Sequence, residues 1–419
     1  MQKNLPLTSF LFGTAFFTLT VTAQQPDRFA FAITDIQPTT GGNWSFLRKL
    51  NLQTGEYSPV LLSGNDASLL AYDAVTKKQF TTPLNDAMFG QTVNAAFATG
   101  VAAMAYDRKN NRIYYTPMFI DQLRYLDLKT MKVFFATDQP FTGKAQKSPD
   151  QGNIVTRMVI ASDGNGYAMT NDGRQLIRFT TGKKLQVTDL GTVVDDQSNK
   201  DASIHSSCSS YGGDMIADDN GNIFVFSARN HVFKINTENK VATHLGIISG
   251  LPNGFTVNGA AVNDNNQIIV SSASNVSSYF TVDHKTWTAT PFVINGIVWQ
   301  SSDLANSNLL VTNERPSADE SDVINVKAAA LSDSKVSLYP NPVTNNNFNL
   351  QFNQLESGNY TIIVTDVTGV QVVRQAIVVN GDSQNSFVRF SPGAAKGVYL
   401  VKIINSANKS VYSSKIVVQ

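Results

Sequence analysis

Five residues of this 419-residue chain have side chains that could form one binding or catalytic cleft. Asp214 and Asp303 could supply paired carboxyl groups for acid and base catalysis if the fold brought them together. Arg157 could form an ion pair with either carboxylate, and Asn258 and Trp299 could complete the set of candidate ligand-binding residues. Each of the five lies at or just before the start of a predicted strand, so a structural role is the alternative for every one.

Metal and nucleophile chemistry have weaker support in the sequence. None of the four histidines has a partner at helical metal-binding spacing, and the pair His205 and Cys208 lacks a recognisable third catalytic group. The turn at 218–222 (Asp-Asp-Asn-Gly-Asn) has closely spaced oxygen ligands but lacks the distal glutamate of a calcium-binding loop. We therefore expect a hairpin turn there, no cofactor and no metal, with Ca²⁺ as the alternative. Enzyme activity stays uncertain, and no activity is the favoured interpretation.

The candidate residues belong to a repeated pattern of four short strands joined by Asp, Asn and Gly turns. The pattern fills residues 24–314, and Asp127 and Asp283 occupy equivalent positions three units apart, which gives about 52 residues per unit. Each sheet has two apolar faces and buries both only by stacking with others around an axis, which predicts a β-propeller. The length favours six blades, with five or seven as alternatives.

Segments at opposite ends of this region predict how the ring closes. Residues 29–34 form one strand and residues 302–305 and 309–311 a strand pair, so we expect one blade to be shared by both ends. Residues 63–100 fit no unit and are expected to be an insertion or an irregular blade. Propeller sites usually lie where the chain enters the innermost strands, which places the five candidates there. The turn pattern resembles six-bladed propellers of the NHL and lactonase-like kind, at the level of the fold alone.

Composition excludes several classes of protein. Hydrophobic residues make up 42% of the chain, enough for a core, whereas charged residues make up only 16%, which is typical of β-rich extracellular chains. The 33 basic and 32 acidic residues nearly cancel, which argues against nucleic-acid binding through a strong basic field. Because Cys208 is the single cysteine, no intrachain disulfide can form.

The first 23 residues have the pattern of a secretory signal peptide. Lys3 supplies a positive charge, residues 5–21 are mostly apolar, and the short side chains of Val21 and Ala23 suit cleavage before Gln24. No later segment approaches the ~20 apolar residues of a membrane span, so we expect no transmembrane segment in the mature chain.

The C-terminal part differs in character from the repeats. Residues 315–334 are polar and turn-rich, which predicts a linker. Residues 335–419 contain about seven short strands with regular turns, which predicts a small immunoglobulin-like β-sandwich. Four motifs follow one another in this part: Tyr339-Pro340-Asn341-Pro342, Asp366-Val367-Thr368-Gly369, Gly397-Val398-Tyr399-Leu400-Val401-Lys402, and the final strand with Lys415.

These motifs, in this order, closely resemble the C-terminal sorting domain of type IX secretion cargo, of the type A class, over residues 331–419. The resemblance implies export across the inner membrane, then recognition by an outer-membrane translocon and its sorting machinery. It also implies that the protein is released, or attached to the outer surface, of a Gram-negative bacterium. An ordinary immunoglobulin-like adhesion module is the alternative.

The sequence thus predicts an all-β protein in which a propeller precedes an immunoglobulin-like sandwich. We expect the propeller to bind an extracellular glycan, peptide or surface partner without chemistry, because no catalytic motif stands out. A hydrolase or lyase that acts on an extracellular polymer or lactone is the alternative. Nucleic acid is not an expected partner, and the identity of the ligand is left open.

Overall fold

The computed structural model describes residues 25–39, 42–144, 151–292, 296–312, 336–343, 346–352, 355–366, 370–381, 384–390, 395–406 and 409–418. The predicted signal peptide (1–23) and linker (315–334) lie outside these residues and remain predictions. The chain divides into two units, Met1–Asn313 and Glu314–Gln419. The described part is nearly all β, so the predicted fold class is confirmed.

The first unit consists of short strands and one turn of 3₁₀ helix, Gln91–Asn94. Its first strands are β1 (Phe29–Thr34), β2 (Phe46–Asn51), β3 (Leu62–Ser63), β4 (Tyr72–Asp73), β5 (Val101–Asp107), β6 (Arg112–Pro117), β7 (Arg124–Asp127), β8 (Lys132–Phe135), β9 (Val155–Ile160), β10 (Gly166–Thr170), β11 (Leu176–Phe179), β12 (Val187–Asp189) and β13 (Val194–Asp195). The others are β14 (Asp214–Ala217), β15 (Asn222–Phe226), β16 (His231–Asn236), β17 (Val241–Ile247), β18 (Gly259–Val262), β19 (Ile268–Ser271), β20 (Tyr279–Val282), β21 (Ala289–Phe292) and β22 (Asp303–Ala305).

These strands form five sheets in the described part of the unit, so the structure has five blades. Blade I consists of β22, β1, β2 and β3 in that order. Blade II consists of β5 to β8, and β4 pairs in parallel with β8 at its outer edge. Blade III consists of β9 to β12. Blade IV is β14 to β17 with β13 added in parallel, and blade V is β18 to β21. The innermost strands make a closed ring, because each of β5, β9, β14, β18 and β22 contacts the next.

The preferred number of six blades was therefore wrong, and the alternative of five is right. The reason lies between residues 62 and 100, which add length without adding a blade. They supply two-residue strands at the edges of blades I and II and the 3₁₀ turn Gln91–Asn94. A count based on length alone treats this insertion as part of a blade.

Both ends of the unit build blade I, as predicted. β22 pairs with β1 in antiparallel register, with Ala32 opposite Leu304 and Ile33 opposite Asp303. The expected second strand at 309–311 does not join this blade. Instead, Leu310 forms a parallel bridge to Asp218 of blade IV. This pairing covers the edges of β1 and β22 that face each other, which would otherwise be open for pairing with another strand.

An apolar layer fills each space between neighbouring blades. Large side chains alternate along the strands and pack against the next sheet, for example Phe31 with Tyr106 between blades I and II. Equivalent layers lie between every other neighbouring pair, including one between blades V and I. Because each sheet buries both faces, the ring is held together by apolar burial without disulfides.

The second unit is a two-layer β-sandwich, as the sequence predicted. One sheet is β23-β24-β27 and the other β26-β25-β28-β29, and both pair in antiparallel fashion. Their facing sides enclose one apolar core that includes Phe348, Ile362 and Val401. The strands are β23 (Val336–Tyr339), β24 (Asn347–Phe352), β25 (Gly358–Asp366), β26 (Gln371–Val379), β27 (Gln384–Arg389), β28 (Gly397–Asn405) and β29 (Ser410–Val418).

Candidate functional site

Three of the five predicted site residues meet at the ring of innermost strands. Arg157 lies on β9, Asp214 begins β14 and Asp303 begins β22. All three side chains are fully buried. We call the face where the chain enters the innermost strands the upper face, and the opposite face, where their hairpins lie, the lower face. The three residues lie on the upper side of the ring, but they do not line an open cleft.

The Asp214 carboxylate connects three blades. Its Oδ2 accepts hydrogen bonds from the backbone N–H groups of Ala260 in blade V, at 2.7 Å, and of Leu304 in blade I, at 3.3 Å. Its Oδ1 accepts one from the N–H of Met215, at 2.7 Å. A ligand that bound the Asp214 carboxyl group would therefore have to replace backbone N–H donors that belong to the innermost strands.

Asp303 makes the equivalent connection from blade I to blade II. Its Oδ2 accepts a hydrogen bond from the N–H of Met104 at 3.1 Å, whereas its buried Oδ1 has no partner among the described residues. Burial, and then the nearby charge of Asp214, raise the pKa of Asp303 well above its ordinary value. Burial also raises the pKa of Asp214 to about 8, against the effect of its N–H donors and of Arg157. The two carboxyl groups therefore hold a proton near neutral pH.

Arg157 attaches blade III to the loop that leads into blade IV. Its Nε and Nη2 donate to the carbonyl oxygen of Gly212 at 3.0 and 2.8 Å, and Nη2 also donates to the carbonyl oxygen of Ser210. Burial lowers the pKa of this guanidinium to about 9, and the charge of Asp214 opposes that effect. The role of Arg157, Asp214 and Asp303 in ligand binding stays a prediction.

Asn258 and Trp299 are half-buried on the upper face, apart from this buried group. The Asn258 Oδ1 accepts hydrogen bonds from Thr256 Oγ1 at 2.6 Å and from the N–H of Ala273 at 3.0 Å. The Trp299 ring is stacked against Arg48, whose guanidinium carbon is 4.2 Å from the ring centroid.

An open depression lies on the lower face, where sequence reasoning did not place a site. It has a volume of about 610 Å³, and we call it the lower funnel. Hairpin turns that follow the innermost strands of blades II, III and V form its wall, and the chain after β22 completes it. Most of its polar lining is amide, hydroxyl or carboxylate, including Gln25, Ser162, Asp163, Thr181, Asn263, Asp264, Asn266, Ser307 and Asn308.

The lower funnel was missed although its signal was present in the sequence. The turns rich in Asp, Asn and Gly were interpreted as hairpin formers, and their convergence on one face follows from the same repeat. Arg108 and Lys109 add positive charge at the rim, and Arg108 forms an ion pair with Asp27 at 3.2 Å. Shape and mixed polarity therefore make this face a second candidate for ligand binding.

The 218–222 turn uses its carboxylate within its own hairpin. Asp218 Oδ1 accepts from the N–H groups of Asn220 and Asn222, and Oδ2 accepts from the Asn222 side chain. Across the described residues, no three His, Cys, Asp or Glu side chains are grouped as metal ligands. Whether this turn binds Ca²⁺ stays a prediction.

The motifs of the second unit have both structural and exposed residues. Asp366 closes the β25–β26 hairpin by accepting from the N–H of Val370, and Tyr399 is buried and donates to the carbonyl oxygen of Ala395. Tyr339, Lys402 and Lys415 are exposed. Pro340 and Pro342 follow cis peptide bonds, Gly397 begins β28, and Gly369 lies outside the described residues.

Asn341 attaches the motif Tyr339-Pro340-Asn341-Pro342 to the final strand, β29. Its Nδ2 donates to the carbonyl oxygen of Lys415 at 3.0 Å, and its Oδ1 accepts from the N–H of Val417 at 2.9 Å. The amide thus satisfies backbone groups on the outer edge of β29. An exposed edge would otherwise be free to pair with another chain.

We expect Asn341→Ala to lower the stability of the second unit by about 1–2 kcal/mol, because two edge hydrogen bonds are lost. Calorimetry of the full chain should show a lower melting temperature for that unit and an unchanged transition for the propeller. Asn385→Ala, at an exposed position of β27, serves as the control. Equal effects of the two substitutions would show that the Asn341 amide does not hold the final strand.

The family described as the secretion system C-terminal sorting domain matches residues 337–419. No curated protein matches the chain. Among the described residues, no helical segment has the length and hydropathy that a membrane crossing requires.

Several solved structures are similar to the chain at low sequence identity. PorZ, described as an essential bacterial surface component of the type-IX secretion system of Porphyromonas gingivalis, is 13% identical with a TM-score of 0.31. The match covers 91% of this chain and 51% of PorZ, so the chain spans about half the length of that protein. A streptogramin B lyase is 13% identical with a TM-score of 0.36, and the match covers 67% of this chain and 88% of the lyase.

A putative 6-phosphogluconolactonase from Bacteroides uniformis is 12% identical with a TM-score of 0.36, and the match covers 67% of this chain and 99% of that protein. At these TM-scores the similarities say nothing about activity. The assignment to type IX secretion rests on the match of residues 337–419 to the sorting-domain family. The chain is a type IX secretion cargo in which a β-propeller unit precedes a C-terminal sorting domain, and it is secreted or attached to the cell surface.

Proposed function

We propose that this exported propeller is a binding protein and that its ligand is a short extracellular glycan, which enters the lower funnel. One observation carries the proposal: a depression of about 610 Å³ whose polar lining consists mostly of amide, hydroxyl and carboxylate groups, next to apolar side chains. Binding sites for small molecules typically have volumes of about 300–1,000 Å³. Sugars present many hydroxyl groups that both donate and accept hydrogen bonds. Among the exposed side chains of this lining, Ser162 and Lys109 can donate to them, and Ser162 and Asp163 can accept from them.

The chemistry of the rim also favours a hydroxylated ligand over a highly charged one. The lining contains Arg108 and Lys109 as well as Asp163 and Asp264, so the two signs are mixed. Mixed charge gives little net attraction for a polyanion or a polycation. Ser162, Asp163 and Lys109 are exposed, so a ligand can reach them without a change in the fold.

The alternative, a hydrolase or lyase, has less support. It would need a carboxyl pair that faces its substrate across an open cleft. Asp214 and Asp303 are buried and accept hydrogen bonds from backbone N–H groups of the innermost strands. No observation on the described residues favours that chemistry over binding.

We expect Ser162→Trp to reduce glycan binding by about tenfold or more, because the indole would fill the funnel next to the hairpin of blade III. The measurement is binding of the full chain to a glycan array, followed by calorimetric titration with the strongest ligand. Ser277→Trp is the matched control, since Ser277 is exposed in the β19–β20 loop on the upper face.

The same binding experiment shows whether the glycan site lies on the upper or the lower face of the propeller. A loss of binding in Ser277→Trp or Asn258→Ala, with normal binding in Ser162→Trp, would move the site to the upper face that the sequence predicted. An array with no bound glycan would contradict the proposed ligand class.

A further inference from the structure

Among the described residues of the sorting unit, no segment packs against the outward face of the sheet β26-β25-β28-β29. Along β25, β26, β28 and β29, burial alternates, so inward side chains such as Ile362 and Val401 form the core and the intervening ones point outward. We call the outward set the outer sheet face. It is formed by Asn359, Thr361, Ile363, Thr365, Arg374, Ala376, Val378, Val398, Leu400, Lys402, Ile404, Ser413, Lys415 and Val417.

All the charges on this face are positive. Arg374, Lys402 and Lys415 are exposed, and no Asp or Glu occupies an outward position on these four strands. None of the three cations takes part in an ion pair with a described carboxylate. The two described acidic residues of the unit, Glu356 and Asp366, lie in a loop and at the end of β25.

The strand register groups these cations. Ile363 is opposite both Arg374 and Lys402, which places these three in one row across the sheet. Lys415 is opposite Leu400, the outward neighbour of Lys402, so the two lysines are diagonal neighbours about 7–8 Å apart. Like charges at this spacing repel each other, and an anionic partner would remove that repulsion.

Apolar side chains are exposed on the same face as the cations. Val378, Val398 and Val417 are 60%, 42% and 36% exposed. A shallow depression of about 350 Å³ lies at the other end of the face, and Asn359, Thr361, Ala376 and Val378 are among the residues that line it. Exposed apolar side chains that share a sheet face with an arginine without a carboxylate partner among the described residues are consistent with a surface that another protein covers.

We propose that the outer sheet face of the sorting unit is the surface that the export machinery reads, and that its partner there is a protein surface with clustered carboxylates. Carboxylates complement the unpaired Arg374, Lys402 and Lys415, and the valines bury against apolar side chains of the partner. A single anionic headgroup is the poorer fit, because the depression is lined by neutral residues and lies away from the cations.

The first test uses the full chain and two anionic probes, immobilised poly-L-glutamate and vesicles of phosphatidylglycerol with phosphatidylcholine. We expect binding to poly-L-glutamate that falls about tenfold in Lys402→Glu/Lys415→Glu. The control Lys396→Glu/Lys409→Glu makes the same charge change outside the strands and should bind like the unsubstituted protein. Binding to the vesicles alone would overturn the proposal in favour of a lipid.

The second test measures export from cells. Lys402→Glu/Lys415→Glu should accumulate in the periplasm, whereas the control and the charge-conserving Lys402→Arg/Lys415→Arg should reach the outside. Calorimetry checks that the sorting unit of each variant is folded, so that misfolding is not mistaken for lost recognition. Normal export of a folded Lys402→Glu/Lys415→Glu protein would overturn the proposal.

Discussion

The free energy of unfolding of the propeller unit will fall by several kcal/mol as the pH rises from about 4 to about 8. The cause is the buried pair Asp214 and Asp303. Burial raises the pKa of Asp214 from 3.8 to about 8, and burial together with the charge of Asp214 raises that of Asp303.

The sign follows from which state binds more protons. Between the ordinary pKa of an aspartate and the raised value, the folded protein holds protons that the unfolded chain has released. The stability that these protons contribute is fully present below the unfolded pKa and is lost as the pH rises through the folded pKa. Each extra proton held changes the free energy by about 1.4 kcal/mol per pH unit.

Asp303→Asn should make this pH dependence shallower and raise the unfolding free energy at pH 8 by about 1–3 kcal/mol. The amide oxygen can still accept the hydrogen bond from Met104, and the charge that repels Asp214 is gone. Chemical denaturation at several pH values measures the effect. Asp201→Asn, at an exposed position outside the strands, removes the same formal charge and serves as the control. If Asp303→Asn left the slope unchanged, the pair would not share a proton.

A second large effect is expected at Arg124, where Arg124→Lys should destabilise the propeller by about 3–5 kcal/mol. The Arg124 side chain is fully buried and forms no ion pair with a carboxylate of the described residues. Its Nη1 donates to the carbonyl oxygens of Ala95 and Ala96 at 2.7 and 2.9 Å, and its Nη2 donates to that of Val93 at 2.8 Å. Its guanidinium also lies over the ring of Phe135, 3.7 Å from the centroid.

The guanidinium thus fixes the insertion around Gln91–Asn94 to blade II. A lysine ammonium is compact and cannot span the three carbonyl groups, so buried acceptors would lose their donors. Urea denaturation measures the loss, and Arg178→Lys, on the exposed side of β11, is the matched control. Similar midpoints for Arg124→Lys and Arg178→Lys would refute the assigned role.

The repeat and the C-terminal motifs were sufficient to predict the main architecture. The alternation of strands and turns predicted stacked four-stranded sheets, and the segments at 29–34 and 302–305 predicted a shared blade. The sequence also placed Arg157, Asp214 and Asp303 correctly at the ring of innermost strands. These features depend on local patterns, which a single sequence records.

Features that depend on how individual side chains meet across blades or across sheets could not be predicted. Whether Asp214 faces solvent or the next blade depends on how narrow the ring is, and the ring is narrower with five blades than with six. Arg124 and Arg178 both lie on third strands, and no local pattern shows that Arg124 alone is buried. The role of Asn341 requires the position of β29, which lies more than seventy residues away along the chain.

The C-terminal unit directs the export of the propeller. The most direct test of this role is the distribution of the protein between the periplasm and the outside of the cell when residues 337–419 are deleted in a host with type IX secretion. We predict that the full-length protein is found outside and that the truncated protein remains in the periplasm, with a propeller that still unfolds cooperatively. Recovery of the truncated protein in the medium, in the same proportion as the full-length protein, would contradict the account.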